Sequence, residues 1–287
     1  MKTLLLAIAL VISVPAYCAT PVPSGRWSFV FTDAKGRPDR PIRVYTYRPR
    51  KCDSTCPIMF VMSGVKRNAY DYLGYWELIS DRYNFIVIAP EFTNELWPKA
   101  AAYSQGDVAG NPDRNKWAFS AIEHLFDEVR DGQKDYMIFG HSAGGQFVQR
   151  MALLLPDNRA SVMVAGNPGW YTWPEWRKDK TDNSYPYSLV NTPTGEAELK
   201  RALARRVFLL VGENDSDPDA ENLNQSDGAK KQGESRLDRG ENFFKAATAQ
   251  AQALGVKLGW ELIEVPNTAH DGAAISKAAG EAIFGKK

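Results

Sequence analysis

Five stretches of this chain are almost unbroken apolar runs of strand length: "PIMFVMS" (57–63), "NFIVIAP" (84–90), "DYMIFG" (135–140), "ASVMVAG" (160–166) and "RVFLLVG" (206–212). Strands that are apolar on both sides need cover on both faces, which a parallel sheet between layers of helices provides. Two earlier runs, "RWSFVFT" (26–32) and "IRVYTYR" (42–48), alternate apolar and polar residues as half-exposed antiparallel strands do. "LGWELIEV" (258–265) makes an eighth, and helical spacing is found near 115–130, 142–155, 237–254 and 271–284. No internal repeat is visible. The pattern predicts an α/β fold, with an eight-stranded, mostly parallel sheet and helices on both faces. At 287 residues, 44% hydrophobic and 24% charged, the chain has an ordinary globular composition and enough apolar residues for a sizeable core.

One interval breaks the rhythm. "WYTWPEWRKDKTDNSYPYSLVNTPTG", from Trp170 onward, is rich in proline, aromatic and polar residues and lies between the sixth and seventh runs. It is read as a short cap segment, about 170–204, within a single domain. The polar stretch after the seventh run, "DSDPDAENLNQSDGAKKQGESR", is read as a long surface loop.

The chain opens with one cation, Lys2, an apolar run from Leu4 to Val14, then Pro15 and small residues, the layout of a secretory signal. That run is too short to span a bilayer, and no later segment is long and apolar enough either. Cleavage is expected after Cys18, with Ala16 at the minus-three position; a cut after Ala19 would put bulky Tyr17 there. Residues 1–18 are thus a signal peptide and 19–287 a single domain, secreted or periplasmic. Tyr17 directly before Cys18 argues against a lipid-modified cysteine. Either cut leaves Cys52 and Cys56, which read as a small disulfide loop in an exported protein. Two thiols without a neighbouring histidine make a poor zinc site. Losing Lys2 brings the 35 basic residues level with the 34 acidic ones, so no global field draws nucleic acid or anionic membranes.

"MIFGHSAGGQ" places Ser142 between glycines at the end of an apolar run, where a nucleophile on a strained strand-to-helix turn would sit. A serine hydroxyl reacts poorly unless a base takes its proton and a third group orients that base. Past the leader the histidines are His124, His141 and His270. His124 is expected to lie mid-helix, and His141, beside Ser142 on a sharp turn, to point elsewhere; both read as structural. His270 follows the eighth run and precedes the last helix, which makes it the candidate base. For the acid, "LLVGENDSDPD" offers several carboxylates, of which Asp215, three residues past Gly212, is favoured over Asp217. The chain order Ser142, Asp215, His270, with the serine after the fifth strand, is that of the α/β-hydrolase fold.

That fold supplies an oxyanion hole from two backbone N–H groups. Here they are expected from Ala143, after the serine, and from Val65 in "MSGVKRNAYDY", where Gly64 permits a tight turn. Gly140 and Gly144 are expected to let the elbow pack closely. Asp215, Asp217 and Asp219 have the spacing of a calcium loop, but the sixth position is Ala220 rather than glycine and the twelfth Ser226 rather than glutamate, so no metal is assigned. Trp170, Tyr171, Trp173 and Trp176 crowd beside the expected cleft. They either pack the cap on the core or form a flat aromatic platform for substrate, with Trp170, Tyr171 and Trp173 the substrate-binding candidates. Arg67, Asn68 and Tyr70, behind the oxyanion loop, are further candidates, Arg67 first.

"GHSAGG", "GENDSDP", "NTAHDG" and "SGVKRNAYDYLGYW" together resemble secreted bacterial α/β-hydrolases of the polyhydroxybutyrate depolymerase and feruloyl esterase-like group, over roughly Pro41 to Phe284. The resemblance implies cleavage of carboxylic esters in polymers or plant material without a cofactor. Some bacterial relatives cleave the amide bonds of poly(aspartic acid), and "QGESRLDRGENFF" resembles those too. Ser63 departs from the pattern, standing where many relatives carry histidine. The expected function is therefore an exported serine hydrolase acting on small-molecule or polymeric esters. The alternatives are an amide hydrolase for a peptide-like polymer, and a calcium- or glycan-binding exported protein on an inactive hydrolase scaffold. The oligomeric state is left open by the sequence.

Overall fold

The computed structural model describes residues 20–285; the leader expected over 1–18, Cys18 included, lies outside them. Eight strands form one sheet: β1 (Gly25–Phe31), β2 (Ile42–Arg48), β3 (Ile58–Met62), β4 (Ile86–Glu91), β5 (Tyr136–His141), β6 (Ala160–Gly166), β7 (Val207–Gly212) and β8 (Trp260–Val265). Their spatial order is β1-β2-β4-β3-β5-β6-β7-β8. β1 and β2 pair antiparallel, as do β2 and β4, and every other pairing is parallel. This is the α/β-hydrolase arrangement the apolar runs predict.

The helices are α1 (Ala69–Tyr83), α2 (Lys99–Ala102), α3 (Ala118–Val129), α4 (Ala143–Leu154), α5 (Glu196–Ala204), α6 (Asp227–Lys230), α7 (Arg236–Ala253) and α8 (Gly272–Phe284). Successive strand residues point to opposite faces, and both faces are filled. Ile58, Phe60 and Met62 of β3 join one core with residues of α3, α4, α5 and α7. Met59 and Val61 join the other with residues of α1 and α8. Hence the central strands carry no polar face.

Four helices depart from the sequence expectation: the single-turn α2 and α6, the latter inside the stretch read as a surface loop, and the longer α1 and α5. α1 forms where no helix is expected, burying Ala69, Tyr72, Leu73 and Trp76 at helical i, i+3, i+4, i+7 spacing. Its five aromatic residues and Gly74 obscure that stripe in the sequence. α5 takes up the end of the expected cap interval, and its Leu199, Ala202 and Leu203 are buried in the core beside α4. The interval before it is irregular apart from one short 3-10 turn, Lys178–Lys180, and an isolated bridge between Trp173 and Ser188. Cys52 and Cys56 are joined by a disulfide.

Candidate active site

β5 ends at His141, and α4 begins at Ala143; Ser142 is the single residue between them. Its backbone has φ 56° and ψ −115°, a conformation that strains any residue with a side chain. The strain is held by crowding: a Cβ on Gly144 would lie 2.1 Å from the Met62 carbonyl oxygen, and one on Gly140 2.2 Å from that of Gly144. Only glycine lets α4 approach β3 and β5 this closely.

The Ser142 Oγ lies 2.9 Å from His270 Nε2, and His270 Nδ1 lies 2.7 Å from Asp215 Oδ2. A carboxylate only accepts, so Nδ1 carries the proton and Nε2 is left to accept from the serine hydroxyl. Asp217 is not brought to the histidine; its Oδ1 accepts from the Asp219 N–H instead. The loops that carry Asp215 and His270 are tied together by Asn167, whose Oδ1 accepts from the Gly212 N–H at 2.7 Å and whose Nδ2 donates to the Ala269 carbonyl at 3.0 Å. Asp271, next to His270, caps α8 by accepting from the N–H groups of Ala273 and Ala274. The imidazole is thereby held between a sheet end and a helix start.

Val65 and Ala143 both border the cleft at Ser142, and neither N–H has a protein acceptor among the described residues. The Val65 loop is fastened from two sides. Tyr103 donates its hydroxyl proton to the Ser63 carbonyl at 2.8 Å, and the Arg67 N–H donates to the Gly64 carbonyl at 3.0 Å. Where the family pattern would have histidine, Ser63 is thus buried and held through its main chain. A hydroxyl, an imidazole, a carboxylate and two free N–H donors in this arrangement have the geometry that acyl transfer requires.

His141 is buried, its Nδ1 hydrogen-bonded with the Tyr72 hydroxyl at 2.7 Å, and its ring lies 4.7 Å from that of His270. Burial, reinforced by the neighbouring His270, holds it well below the ordinary histidine range, so it stays neutral. His124 bonds Asp33 through Nδ1 at 2.8 Å, away from the cleft.

Solved structures similar to this chain include known enzymes. Poly(aspartic acid) hydrolase-1 from Sphingomonas sp. KT-1 is 37% identical, with a TM-score of 0.86 over 92% of this chain and 100% of its own. The poly(3-hydroxybutyrate) depolymerase LpqC from Bordetella parapertussis is 32% identical, with a TM-score of 0.84 over 91% of this chain and 90% of its own. The chain belongs to the polyhydroxybutyrate depolymerase and feruloyl esterase-like group of α/β-hydrolases. A ferulic acid esterase, 14% identical with a TM-score of 0.54 over 90% of this chain and 95% of its own, shares the fold. No protein-family model and no curated protein matches.

In this α/β-hydrolase two cavities meet at Ser142. One, of about 640 Å³, holds His270 and Asp215; the other, of about 220 Å³, holds Ala143, Arg67 and Trp170. Val65, Ser142, Asn222 and Arg236 border both. The aromatic platform is corrected by this geometry. Trp170 reaches the smaller cavity, but Tyr171 is fully buried, stacked on Phe243 at 4.4 Å, and cannot touch a substrate. Trp173 borders neither cavity. Arg67 is buried and spends its guanidinium on the carbonyls of Phe92, Trp97 and Lys99, 2.6 to 3.4 Å away. It shapes the cavity wall and stacks over Tyr103.

Arg236, Asn167 and Tyr72 are the residues that sequence reasoning missed. Arg236 lies in the "QGESRLDRGENFF" stretch and Tyr72 in "SGVKRNAYDYLGYW", but nothing in either points to Asp215 or His141. Among the described residues no group of three His, Cys, Asp or Glu side chains is arranged to hold a metal ion, and no helix is long and apolar enough to cross a membrane.

Proposed function

We propose that this hydrolase is an exported serine esterase that cleaves carboxylic esters, polymeric or plant-derived, through an acyl-enzyme. The observation that carries the reading is the hydrogen-bonded series Ser142, His270, Asp215 beside the free N–H groups of Val65 and Ala143. Ser142 Oγ attacks the acyl carbon as its proton passes to His270 Nε2. The two N–H groups hold the oxyanion, each worth roughly 3 kcal/mol of barrier. The bond to the leaving oxygen then breaks as His270 returns the proton to it, releasing the alcohol. Water, deprotonated by the same nitrogen, attacks the ester on Ser142 and frees the acid. Because His270 must reach the leaving oxygen, the leaving group occupies the larger cavity and the acyl group the smaller.

Export is supported by the leader pattern in residues 1–18 and by the Cys52–Cys56 disulfide. Replacing Ser142 by alanine is expected to abolish hydrolysis of a short p-nitrophenyl ester and labelling by a fluorophosphonate. Labelling of the variant at full stoichiometry would refute the reading.

A second reading draws on the charge of the smaller cavity. Arg67, Lys99 and Arg236 border it, and no carboxylate does. That lining suits an anionic acyl group, and with it an amide hydrolase acting on a peptide-like polyanion such as poly(aspartic acid), the polymer for which one similar enzyme is named. Turnover of matched amide and ester substrates distinguishes the two readings.

A further inference from the structure

The acid of the triad is gripped by a residue with no part in the proton transfer. Asp215 Oδ2 faces His270, while Oδ1 accepts from Arg236 Nη1 at 3.1 Å, and both side chains are only 4% exposed. The other prong of the guanidinium, Nη2, donates to the Glu221 carbonyl at 3.0 Å. Arg236 is itself anchored as the first residue of α7. Ser235 caps that helix, accepting from the Asp238 N–H at 3.1 Å while Asp238 accepts from the Ser235 N–H at 2.9 Å. The Leu237 N–H donates to the Asp215 carbonyl at 3.1 Å. One helical turn therefore bonds the acid through both its main chain and its side chain.

A carboxylate held only by the imidazole can rotate and carry the ring with it. With both oxygens engaged, and one of them by a rigid planar fork, the orientation of Asp215 is fixed before substrate arrives. The ring of His270 follows Asp215, and Nε2 follows the ring. We propose that Arg236 is a positioning residue, which acts through Asp215 to aim His270 Nε2 at Ser142 Oγ. Its presence on the walls of both cavities makes substrate binding the competing role. The two roles differ in where the loss falls: positioning acts on kcat, whereas uniform binding acts on KM.

The inference rests on the triad reading of the proposed function. Fluorophosphonate labelling of the wild type, lost in Ser142→Ala, tests that reading alone, so the two failures are distinguishable. For Arg236, the full-length mature enzyme is assayed on a short p-nitrophenyl ester as Arg236→Ala and Arg236→Lys, each also in an Asp215→Asn background. Arg236→Ala is expected to lower kcat about 10²-fold, the order of loss for a displacement near 1 Å, with little change in KM. The downfield proton resonance of His270 Hδ1 should shift in that variant. In the Asp215→Asn background the same substitution should change kcat by no more than about twofold, because its route to the histidine is already cut. Equal losses in both backgrounds, or a raised KM with unchanged kcat, would overturn the proposal. If the alanine variant does not fold, Arg236→Lys carries the test, since one Nζ cannot serve both Asp215 and Glu221. A loss of about tenfold in kcat that disappears with Asp215→Asn supports positioning, and an unchanged kcat refutes it.

Discussion

Replacing Gly144 by alanine puts a methyl group where the carbonyl of Met62 already sits. The new Cβ would lie 2.1 Å from that oxygen, 2.7 Å from its carbon and 2.9 Å from the Ser63 carbonyl oxygen. Real Cβ contacts stop near 3.0 Å, so α4 and the end of β3 must part by 3.0 − 2.1, at least about 0.9 Å. Backbone cannot rotate out of the way as a side chain can. Overpacking of this kind costs ~1–3 kcal/mol, and the better helix propensity of alanine returns ~1 kcal/mol of it. A net loss of up to ~2 kcal/mol lowers Tm by up to roughly 8 °C in a domain of this size. The effect on rate is larger, because Met62 and Ser63 lead directly into the Val65 loop while Ala143 opens α4. Parting those two elements separates the two N–H groups that the proposed mechanism needs together, and a misplacement near 1 Å costs about 10²-fold in kcat. Steady-state hydrolysis of a p-nitrophenyl ester, alongside thermal melting, measures both. Gly74→Ala is the control: its nearest neighbour is Arg26 Nη2 at 4.0 Å, so it should gain ~0.5–1 kcal/mol and leave kcat unchanged. A Gly144→Ala enzyme with near-wild-type kcat would refute the steric argument.

Two further predictions concern stability. Burial, with His270 adding to it, keeps His141 uncharged in the folded chain, while the unfolded chain binds a proton below about pH 6.5. Its contribution is therefore fully present above that pH and is lost as pH falls through it, by up to about 1.4 kcal/mol per unit. Melting temperatures between pH 8 and 5 should show this slope, and His141→Asn should flatten it; an undiminished slope in the variant assigns the effect elsewhere. The Cys52–Cys56 disulfide closes a loop of sequence separation 4, which chain entropy values at about 2 kcal/mol. Cys52→Ser with Cys56→Ser should lower Tm by roughly 4–8 °C, and an unmoved Tm would show the loop to be held without the bond.

Strand positions were legible because burial on both faces of a parallel sheet leaves an unbroken apolar signature, and all eight runs fall on strands. The elbow was legible for a local reason as well. A residue forced to φ 56° between two packed backbones needs glycines around it, and Gly140 and Gly144 stand two residues to either side of Ser142 in the chain. α1 was hidden because aromatic residues satisfy helix and strand patterns alike, and its helical stripe shows only once the sheet beneath it is known. Position along the chain also misjudged the aromatics after Gly169. Trp170 and Tyr171 are neighbours, yet one borders the cleft and the other packs on Phe243.

By itself, then, the sequence determined the sheet, the strained turn and the order in which a serine, an acid and a histidine follow strand ends. Those features are set by periodicity and steric limits that act within a few residues. Only the tertiary structure decided that Asp215 rather than Asp217 meets His270, that Tyr72 accompanies His141, and that Arg236 grips the acid from 21 residues downstream. Such partnerships depend on where one element docks against another. A guanidinium on α7 reaches Asp215 because the start of that helix is pinned to the β7 loop, and no local pattern encodes that contact.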